Sequence, residues 1–210
     1  MSSRIIHIAI SKIISENVEI KDFNRFSVGS VIPDAAFCGN SHRKFITPDG
    51  MKKTYDLTGF RNDHLPLILG DDFYLGYYMH LVEDILFRNF IYDNYEWDPL
   101  VDGNIEKLHN DYRLTNGLII RKYGIEDTAV LPPDIPGEFG FDSCRFRASG
   151  FIELLHTDFE KRPEGEPFFF NMDMADGLIA YSAEESVREI KALRAGERYI
   201  DEFERAWRRH

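Results

Sequence analysis

The chain has 210 residues, 43% of them hydrophobic, and a formal net charge of −11 at pH 7. This size and apolar content predict one domain, residues 1–210, with a substantial core. The negative charge disfavours nonspecific binding to nucleic acid or to anionic lipid headgroups, because both require a basic surface. A phosphate-containing substrate remains compatible with this charge, since a bound metal ion can supply positive charge locally.

Hydropathy and cysteine content bear on the cellular compartment. The sequence has no run of 18 apolar residues and no signal-peptide pattern, so we expect a cytoplasmic protein without stable membrane association. Its two cysteines, Cys38 and Cys144, are too few and too far apart in the sequence to predict a disulfide framework. We expect both to be reduced.

Helical periodicity and helix-end signals account for most of the chain. They predict helices from a serine cap at residues 2–3 to about residue 16, and over residues 22–29, 70–92, 104–122, 143–159, 173–194 and 197–210. Residues 35–68 are predicted to form a long loop, a length that is uncommon unless the loop is functional. Because no alternating strand pattern of convincing length is present, the predicted fold class is all-α, a single-domain helical bundle.

His80 and Asp84 form the most informative pair, because they stand one helical turn apart on an otherwise apolar face of the predicted central helix. A histidine and an aspartate at this spacing can bind the same metal ion, and the alternative is a hydrogen-bonded pair inside a helix bundle. The upstream sequence favours the metal. His7 borders the buried stripe of the first helix, and the following loop carries Asp34 and His42.

The order and spacing of these five residues resemble those of the bacterial zinc-dependent phospholipase C family, whose members are in turn similar to fungal single-strand-specific nucleases. The similarity lies within residues 5–84. It comprises an early-helix histidine in Ile5-Ile-His7-Ile-Ala9, a proline and aspartate after a glycine-containing turn in Gly29-Ser-Val-Ile-Pro33-Asp34, a loop histidine in Ser41-His42, and the helix Leu75-Gly-Tyr-Tyr-Met-His80-Leu-Val-Glu-Asp84.

The resemblance implies a ligand set and a cofactor. Asp34, His42, His80 and Asp84 would hold one zinc ion, and His7 would join a bridging Asp84 on a second ion if that ion is present. The predicted cofactor is therefore one or two zinc ions, with another divalent transition metal as an alternative. The later histidine-rich helix of the family has no clean match here, and the nearest candidates are His109 and Asp111.

The predicted function is that of a phospholipase C-like phosphodiesterase, a zinc-dependent phosphoric ester hydrolase in which metal-activated water attacks phosphorus. The expected substrate is a small phosphoester, with no nucleic acid partner, and the sequence leaves the oligomeric state open. Asp34 or Asp84 would orient or deprotonate the water. Glu83, beside the ligand face, is a candidate general base or outer-shell acceptor, the alternative being a solvated or salt-bridged glutamate.

A second hypothesis keeps the same metal ligands but assigns no catalysis. In it the chain is a metal-stabilised helical module that binds a partner through its long loop and C-terminal helices. A structural zinc is closed by protein ligands whereas a catalytic zinc keeps an open position, so the two hypotheses differ in the openness of the site. Under the catalytic hypothesis, Arg43, Lys44 and Arg61 of the loop are candidates for binding the substrate phosphate.

Overall fold

The structure, a computed structural model, describes residues 2–95, 97–141, 144–160 and 163–208. These residues form seven α-helices and five short strands, so the all-α prediction is wrong, although the fold is largely helical. The elements in chain order are α1 (Arg4–Asn17), α2 (Phe23–Gly29), β1 (Lys44–Ile46), β2 (Lys52–Tyr55), α3 (Leu57–Gly70), α4 (Asp72–Arg88), α5 (Asn104–Tyr123), β3 (Glu138–Phe141), β4 (Cys144–Arg147), α6 (Ala148–Glu160), α7 (Met172–Arg194) and β5 (Trp207–Arg208).

Helix α4 lies at the centre of the molecule. Every side chain from Leu75 to Arg88 is buried, and α1, α2, α3 and α7 pack around it. A helix that is covered on all sides is normally apolar all round. The polar side chains of its second half, His80, Glu83 and Asp84, therefore need partners from the surrounding elements.

The predicted helices α1, α2, α5 and α7 are confirmed, with ends within about two residues, which is the usual spread of helix assignments. Local signals explain these ends. The hydroxyl of Ser3 accepts a hydrogen bond from the backbone N–H of Ile5 at the start of α1. Gly124 adopts a left-handed conformation with φ of 57° just after α5, where a residue without a Cβ costs least. The central helix is also confirmed, and it continues into a π-helical segment at Asn89–Asp93.

The prediction of a long loop over residues 35–68 is wrong from residue 44 onward. Strands β1 and β2 pair antiparallel there, with Phe45 opposite Thr54. The connection contains the turn sequence Thr47-Pro-Asp-Gly50, in which Gly50 has a φ of 74°. Helix α3 follows, and the side chain of its N-cap Asp56 accepts from the N–H of Gly59. Pro66 lies inside α3 without ending it.

Two predicted helices near the C-terminus are also corrected. Residues 144–147 form β4, paired with β3, so that α6 begins only at Ala148. Residues 197–208 form turns and then β5, which pairs with β2 through Lys53 and Trp207 to complete a sheet of order β1-β2-β5. Residues 143, 209 and 210 of the two predicted helices lie outside the described residues.

Cys38 and Cys144 are joined by a disulfide, so the prediction of two reduced thiols is wrong. The two cysteines are distant in sequence, but backbone pairing between Ala36 and Phe146 brings their segments together. The Cα atoms of Cys38 and Cys144 consequently lie 5.6 Å apart. Disulfides are typical of oxidising compartments, so this bond does not support the expected cytoplasmic location. None of the helices in the described ranges has the length and apolar character needed to cross a bilayer.

Candidate metal centre

His80 is held by a close crossing of α2 and α4. A Cβ added to Gly76 of α4 would lie 2.1 Å from the carbonyl oxygen of Phe26 in α2, so only glycine permits this approach. The crossing brings the carbonyl oxygen of Ser30, just after α2, to 2.7 Å from Nδ1 of His80. Because a carbonyl can only accept a hydrogen bond, Nδ1 carries the proton and Nε2 bears a lone pair.

His42 meets His80 from the loop that precedes β1. The two Nε2 atoms lie 3.0 Å apart, and both histidines are buried. Nδ1 of His42 lies 2.8 Å from the hydroxyl of Ser41. Since a hydroxyl can donate or accept, Ser41 is compatible with either tautomer of His42. Nε2 of His42 can therefore donate to His80 in the absence of metal, or present a lone pair to an ion.

Asp34 contributes an unpartnered oxygen to the same place. It lies in the 3₁₀ turn Ile32–Ala35, and its Oδ1 is buried without a hydrogen-bond partner among the described residues. This oxygen lies 3.3 Å from Nε2 of His42 and 3.8 Å from Nε2 of His80. Burial alone would raise the pKa of Asp34, but the neighbouring imidazoles of His42 and His80 lower it. The carboxylate form is thereby favoured.

The two oxygens of Asp84 face different sides of the centre. Oδ2 accepts hydrogen bonds from the hydroxyl of Tyr55 at 3.0 Å and from the guanidinium of Arg88 at 3.1 Å, and it lies 3.7 Å from Nε2 of His42. Oδ1 lies 3.8 Å from Nε2 of His7. Although burial opposes ionisation, the charge of Arg88 holds the pKa of Asp84 well below its usual range. Asp84 is thus a buried anion placed between His42 and His7.

His7 completes the cluster together with Glu83. Nδ1 of His7 lies 2.6 Å from Oε2 of Glu83, while its Nε2 is buried with no hydrogen-bond partner among the described residues. The ring of His7 stacks on that of His80 with centroids 4.4 Å apart. Burial and the neighbouring His80 lower the pKa of His7 to about 3, and burial with the charge of Asp84 raises that of Glu83. His7 is therefore a neutral imidazole whose Nε2 faces the centre.

These donors fit a divalent ion of the zinc type. A tetrahedral zinc ion with ligands at about 2.0–2.2 Å holds its ligand atoms about 3.4 Å apart. The separations among Asp34 Oδ1, His42 Nε2 and His80 Nε2 are 3.0, 3.3 and 3.8 Å, close to that value. Each imidazole also has a partner at Nδ1, the arrangement that orients histidine ligands in metal sites. The donor chemistry and the unpartnered atoms therefore agree with a metal centre.

The geometry also bears on the number of ions. Two groups of donors can each hold an ion, His7 with His80 and Asp84, and Asp34 with His42 and His80. His80 belongs to both groups, but its Nδ1 is engaged by Ser30, so that only Nε2 can bind and one ion can use it. With His80 assigned to Asp34 and His42, a second ion keeps only His7 and Asp84 as donors in these groups. One ion is better supported than two.

The structure thus brings together all five predicted ligands and places Glu83 behind His7. The supporting residues Ser30, Ser41, Tyr55, Arg88 and Trp207 were not predicted. Trp207 and Tyr55 flank the guanidinium of Arg88, at 4.6 and 5.1 Å from its central carbon to the ring centroids. Only Arg88 had a usable signal in the sequence, because it follows Asp84 by one helical turn.

The predicted candidates on α5 have other surroundings. Asp111 is fully buried and accepts hydrogen bonds at 2.8 Å from the backbone N–H groups of Phe168, Phe169 and Phe170. It therefore fixes the segment that leads to α7 and belongs to neither donor group. His109 is exposed and also lies outside both groups.

The three loop cations differ in their availability to a substrate. Arg61 is buried and bonds Glu189, and Arg43 forms an ion pair with Asp63 at 2.6 Å. Burial and the charge of Arg88 lower the pKa of Lys44, while the carboxylates of Asp84 and Asp34 oppose this effect. Lys44 is thus within electrostatic reach of the centre and remains a candidate for binding phosphate.

A cavity of about 380 Å³ opens beside the centre, and Asp34 forms part of its wall. The other lining residues come from the start of α1, from α5 and from α6: Ser2, Ser3, Arg4, His109, Tyr112, Arg113, Asn116 and Asp158. This volume is within the range of small-molecule sites. Asp34 is therefore the residue of the cluster that faces this cavity.

Comparison of the chain with protein-family models, with curated proteins and with solved structures finds no match. The similarity to zinc-dependent phospholipases C consequently depends on the five matched residues and stays a prediction.

Proposed function

We propose that the protein is a metal-dependent phosphoric ester hydrolase, with zinc as the preferred ion and a small phosphoester as substrate. One observation carries the proposal. Three imidazole Nε2 atoms and two aspartates meet in a buried cluster in which His7 Nε2 and Asp34 Oδ1 have no hydrogen-bond partner among the described residues. Leaving such atoms unpaired costs about 1–3 kcal/mol each, and a bound cation would remove that cost.

The cavity at Asp34 favours catalysis over a purely structural metal. A structural zinc is enclosed by protein ligands, whereas a catalytic one needs a position open to water and substrate. Asp34 lies between the cluster and the cavity, with its side chain 11% exposed, while His80 and Asp84 are fully buried. The side next to Asp34 is therefore where substrate would enter.

Each residue of the centre would have a separate role in hydrolysis. Bound zinc would supply Lewis acidity, lowering the pKa of water and neutralising charge on the phosphoryl oxygens. Asp34, the ligand on the cavity side, would orient or deprotonate the attacking water beside the ion. Asp84, held anionic by Arg88 and Tyr55, would serve as a charged ligand, and Glu83 would position His7. Water oxygen bonds to phosphorus, the bond from phosphorus to the leaving oxygen breaks, and a proton from water passes to the departing alcohol.

The burial of the ligands favours a second candidate, the noncatalytic metal-stabilised module. His7, His80 and Asp84 are fully buried, which is also what a closed structural site requires. The two candidates share the metal and differ in turnover.

Measurement of metal content together with phosphoester hydrolysis tests both candidate functions. Protein purified without chelator is analysed for metal per chain, then assayed with bis(p-nitrophenyl) phosphate and p-nitrophenyl phosphate before chelation, after chelation and after zinc is restored. We expect about one zinc per chain and turnover that chelation abolishes and zinc restores. Metal without turnover would favour the structural module, and a chain that takes up no zinc would overturn the metal centre. His156→Ala, in a partly exposed pair with Asp127, is the control variant.

A further inference from the structure

The cavity beside Asp34 has an uncompensated positive charge in its wall. Arg4 lines it but forms an ion pair with Asp158, another lining residue, at 2.7 Å, so these two charges largely cancel. Arg113 lines it as well, and its exposed side chain makes no ion pair or hydrogen bond within the described part of the chain. Apart from Asp34 at the metal centre, the cavity therefore keeps one net cationic group.

Two other polar residues of α5, His109 and Asn116, line the cavity together with Arg113. His109 lies one helical turn before Arg113 and also lines the cavity, close enough for the charge of Arg113 to add to burial in lowering its pKa. Asn116 is the next lining residue along the helix, and its Oδ1 accepts from the hydroxyl of Ser3 at 2.7 Å. Its amide nitrogen makes no hydrogen bond within the described ranges, so it remains a donor. Glu106, the acidic residue one turn before His109, does not line the cavity.

We propose, on the basis of the hydrolase function above, that the substrate carries a second anionic group, a carboxylate or a phosphate, which Arg113 binds while the scissile phosphate lies at the metal centre. A guanidinium suits both anions because its fork of donors matches two oxygens. His109 and Asn116 supply further hydrogen bonds. The cavity is larger than one phosphate group needs, which leaves room for a linker between the two anions.

The positive charge of Arg113 favours some classes of phosphoester over others. A substrate with a cationic head, such as a choline or ethanolamine ester, would place like charge beside Arg113, and like-charge contacts are strongly disfavoured. A neutral alcohol would leave Arg113 without a partner. Anionic esters are therefore the preferred class, which is compatible with a chain whose overall charge is −11, because the attraction is local.

Binding of two phosphonates tests the proposal without requiring turnover. 3-Phosphonopropionate carries two anionic groups, whereas propylphosphonate has the same carbon chain and only one. Titration calorimetry on zinc-loaded protein is expected to give an affinity at least tenfold higher for the first, since a charge-assisted hydrogen bond typically supplies this much. Arg113→Gln should reduce the ratio to within twofold while leaving the binding of propylphosphonate unchanged.

Arg121→Gln is the matched control, because it removes the same charge from an exposed position on the same helix, away from the cavity. It should preserve the ratio. Equal affinities of wild type for the two phosphonates, or a ratio unaffected by Arg113→Gln, would overturn the anionic subsite. Failure of the hydrolase proposal is recognised separately, as zinc-loaded protein that hydrolyses neither p-nitrophenyl substrate although the phosphonate ratio depends on Arg113.

Discussion

The Nε2 atoms of His42 and His80 lie 3.0 Å apart, and both side chains are buried. Ser30 fixes the proton of His80 on Nδ1, so Nε2 of His80 presents a lone pair toward His42. Two facing lone pairs at this distance repel each other. Either His42 carries its proton on Nε2, or a cation lies between the rings, and Ser41 accommodates both states.

His80→Ala should remove most metal binding. His80 is the donor shared by both candidate groups, so its loss leaves each group with two donors. We expect the zinc affinity to fall at least a hundredfold, measured by competition with a chromophoric chelator. The His156→Ala control, which changes a histidine outside both groups, should retain the wild-type affinity. Unchanged zinc content in His80→Ala would contradict the ligand assignment.

Glu83→Gln separates the two roles predicted for Glu83. If Glu83 positions His7, a neutral amide should weaken zinc binding by about 10–100-fold, the usual effect of losing an outer-shell partner. If Glu83 is instead the general base, the variant should bind zinc normally and lose kcat. The 2.6 Å contact to Nδ1 of His7 and the 1% exposure of Glu83 favour the first result. Glu83→Ala should additionally lower the free energy of unfolding by about 1–3 kcal/mol, because Nδ1 of His7 would lose its partner.

The clustering of the five candidate ligands was predictable because their signals are local or ordered along the chain. His80 and Asp84 stand out as polar residues one turn apart in an apolar helix, and this spacing is visible in the sequence without knowledge of the fold. The partners of Nδ1 could not be predicted, since the carbonyl of Ser30 reaches His80 only through the crossing of α2 and α4. The disulfide likewise depends on tertiary pairing of residues 36 and 146.

The missed strands had weaker but real signals. The sequence Thr47-Pro-Asp-Gly50 is typical of a turn, and the flanking segments Lys44–Ile46 and Lys52–Tyr55 are short and β-prone. These segments are too short to show a convincing alternation of polar and apolar residues. Strand β5 had no such signal, because Trp207 is ordered by packing against Tyr55 and Arg88. Its charged surroundings favoured a helix locally, and tertiary contacts decided otherwise.

Gly76→Ala should disrupt the centre through the backbone. The added methyl group would lie 2.1 Å from the carbonyl oxygen of Phe26, which α2 can relieve only by moving away from α4. We expect a loss of at least about 1–3 kcal/mol in the free energy of unfolding, as for overpacked cores, together with weaker zinc binding as Ser30 leaves His80. Gly150→Ala in α6 is the control, because its Cβ would meet no atom within 4 Å. The Gly150→Ala variant should have unchanged or slightly higher stability. Equal destabilisation of both variants would contradict a steric clash between α2 and α4 at Gly76.

The stability of the metal-free protein should fall as the pH decreases from 6.5 to 5.5. Burial lowers the pKa of His7 to about 3 and also lowers that of His80, so the unfolded chain takes up protons below pH 6.5 that the folded chain does not. Glu83 acts in the opposite direction, since its raised pKa lets the folded chain hold a proton in this range. On unfolding, the two histidines take up nearly two protons at pH 5.5 while Glu83 releases at most one, so the slope approaches about 1.4 kcal/mol per pH unit at that end of the range. Urea unfolding in the presence of chelator at several pH values measures this slope. Stability that stays constant or increases toward pH 5.5 would contradict the prediction.

Reduction of the disulfide should loosen the segment that carries two of the proposed ligands. Cys38 lies between Asp34 and His42, and its bond to Cys144 ties this segment to β4. The double variant Cys38→Ser, Cys144→Ser should lose about 2–4 kcal/mol of unfolding free energy. We expect its zinc affinity to fall only moderately, by about tenfold, because the backbone N–H of Phe37 still donates to the carbonyl of Arg145. Thermal melts with and without reductant provide the control: wild type should shift to the value of the double variant, which should not respond. If reductant leaves the wild-type melting temperature and zinc affinity unchanged, the bond does not hold the ligand segment.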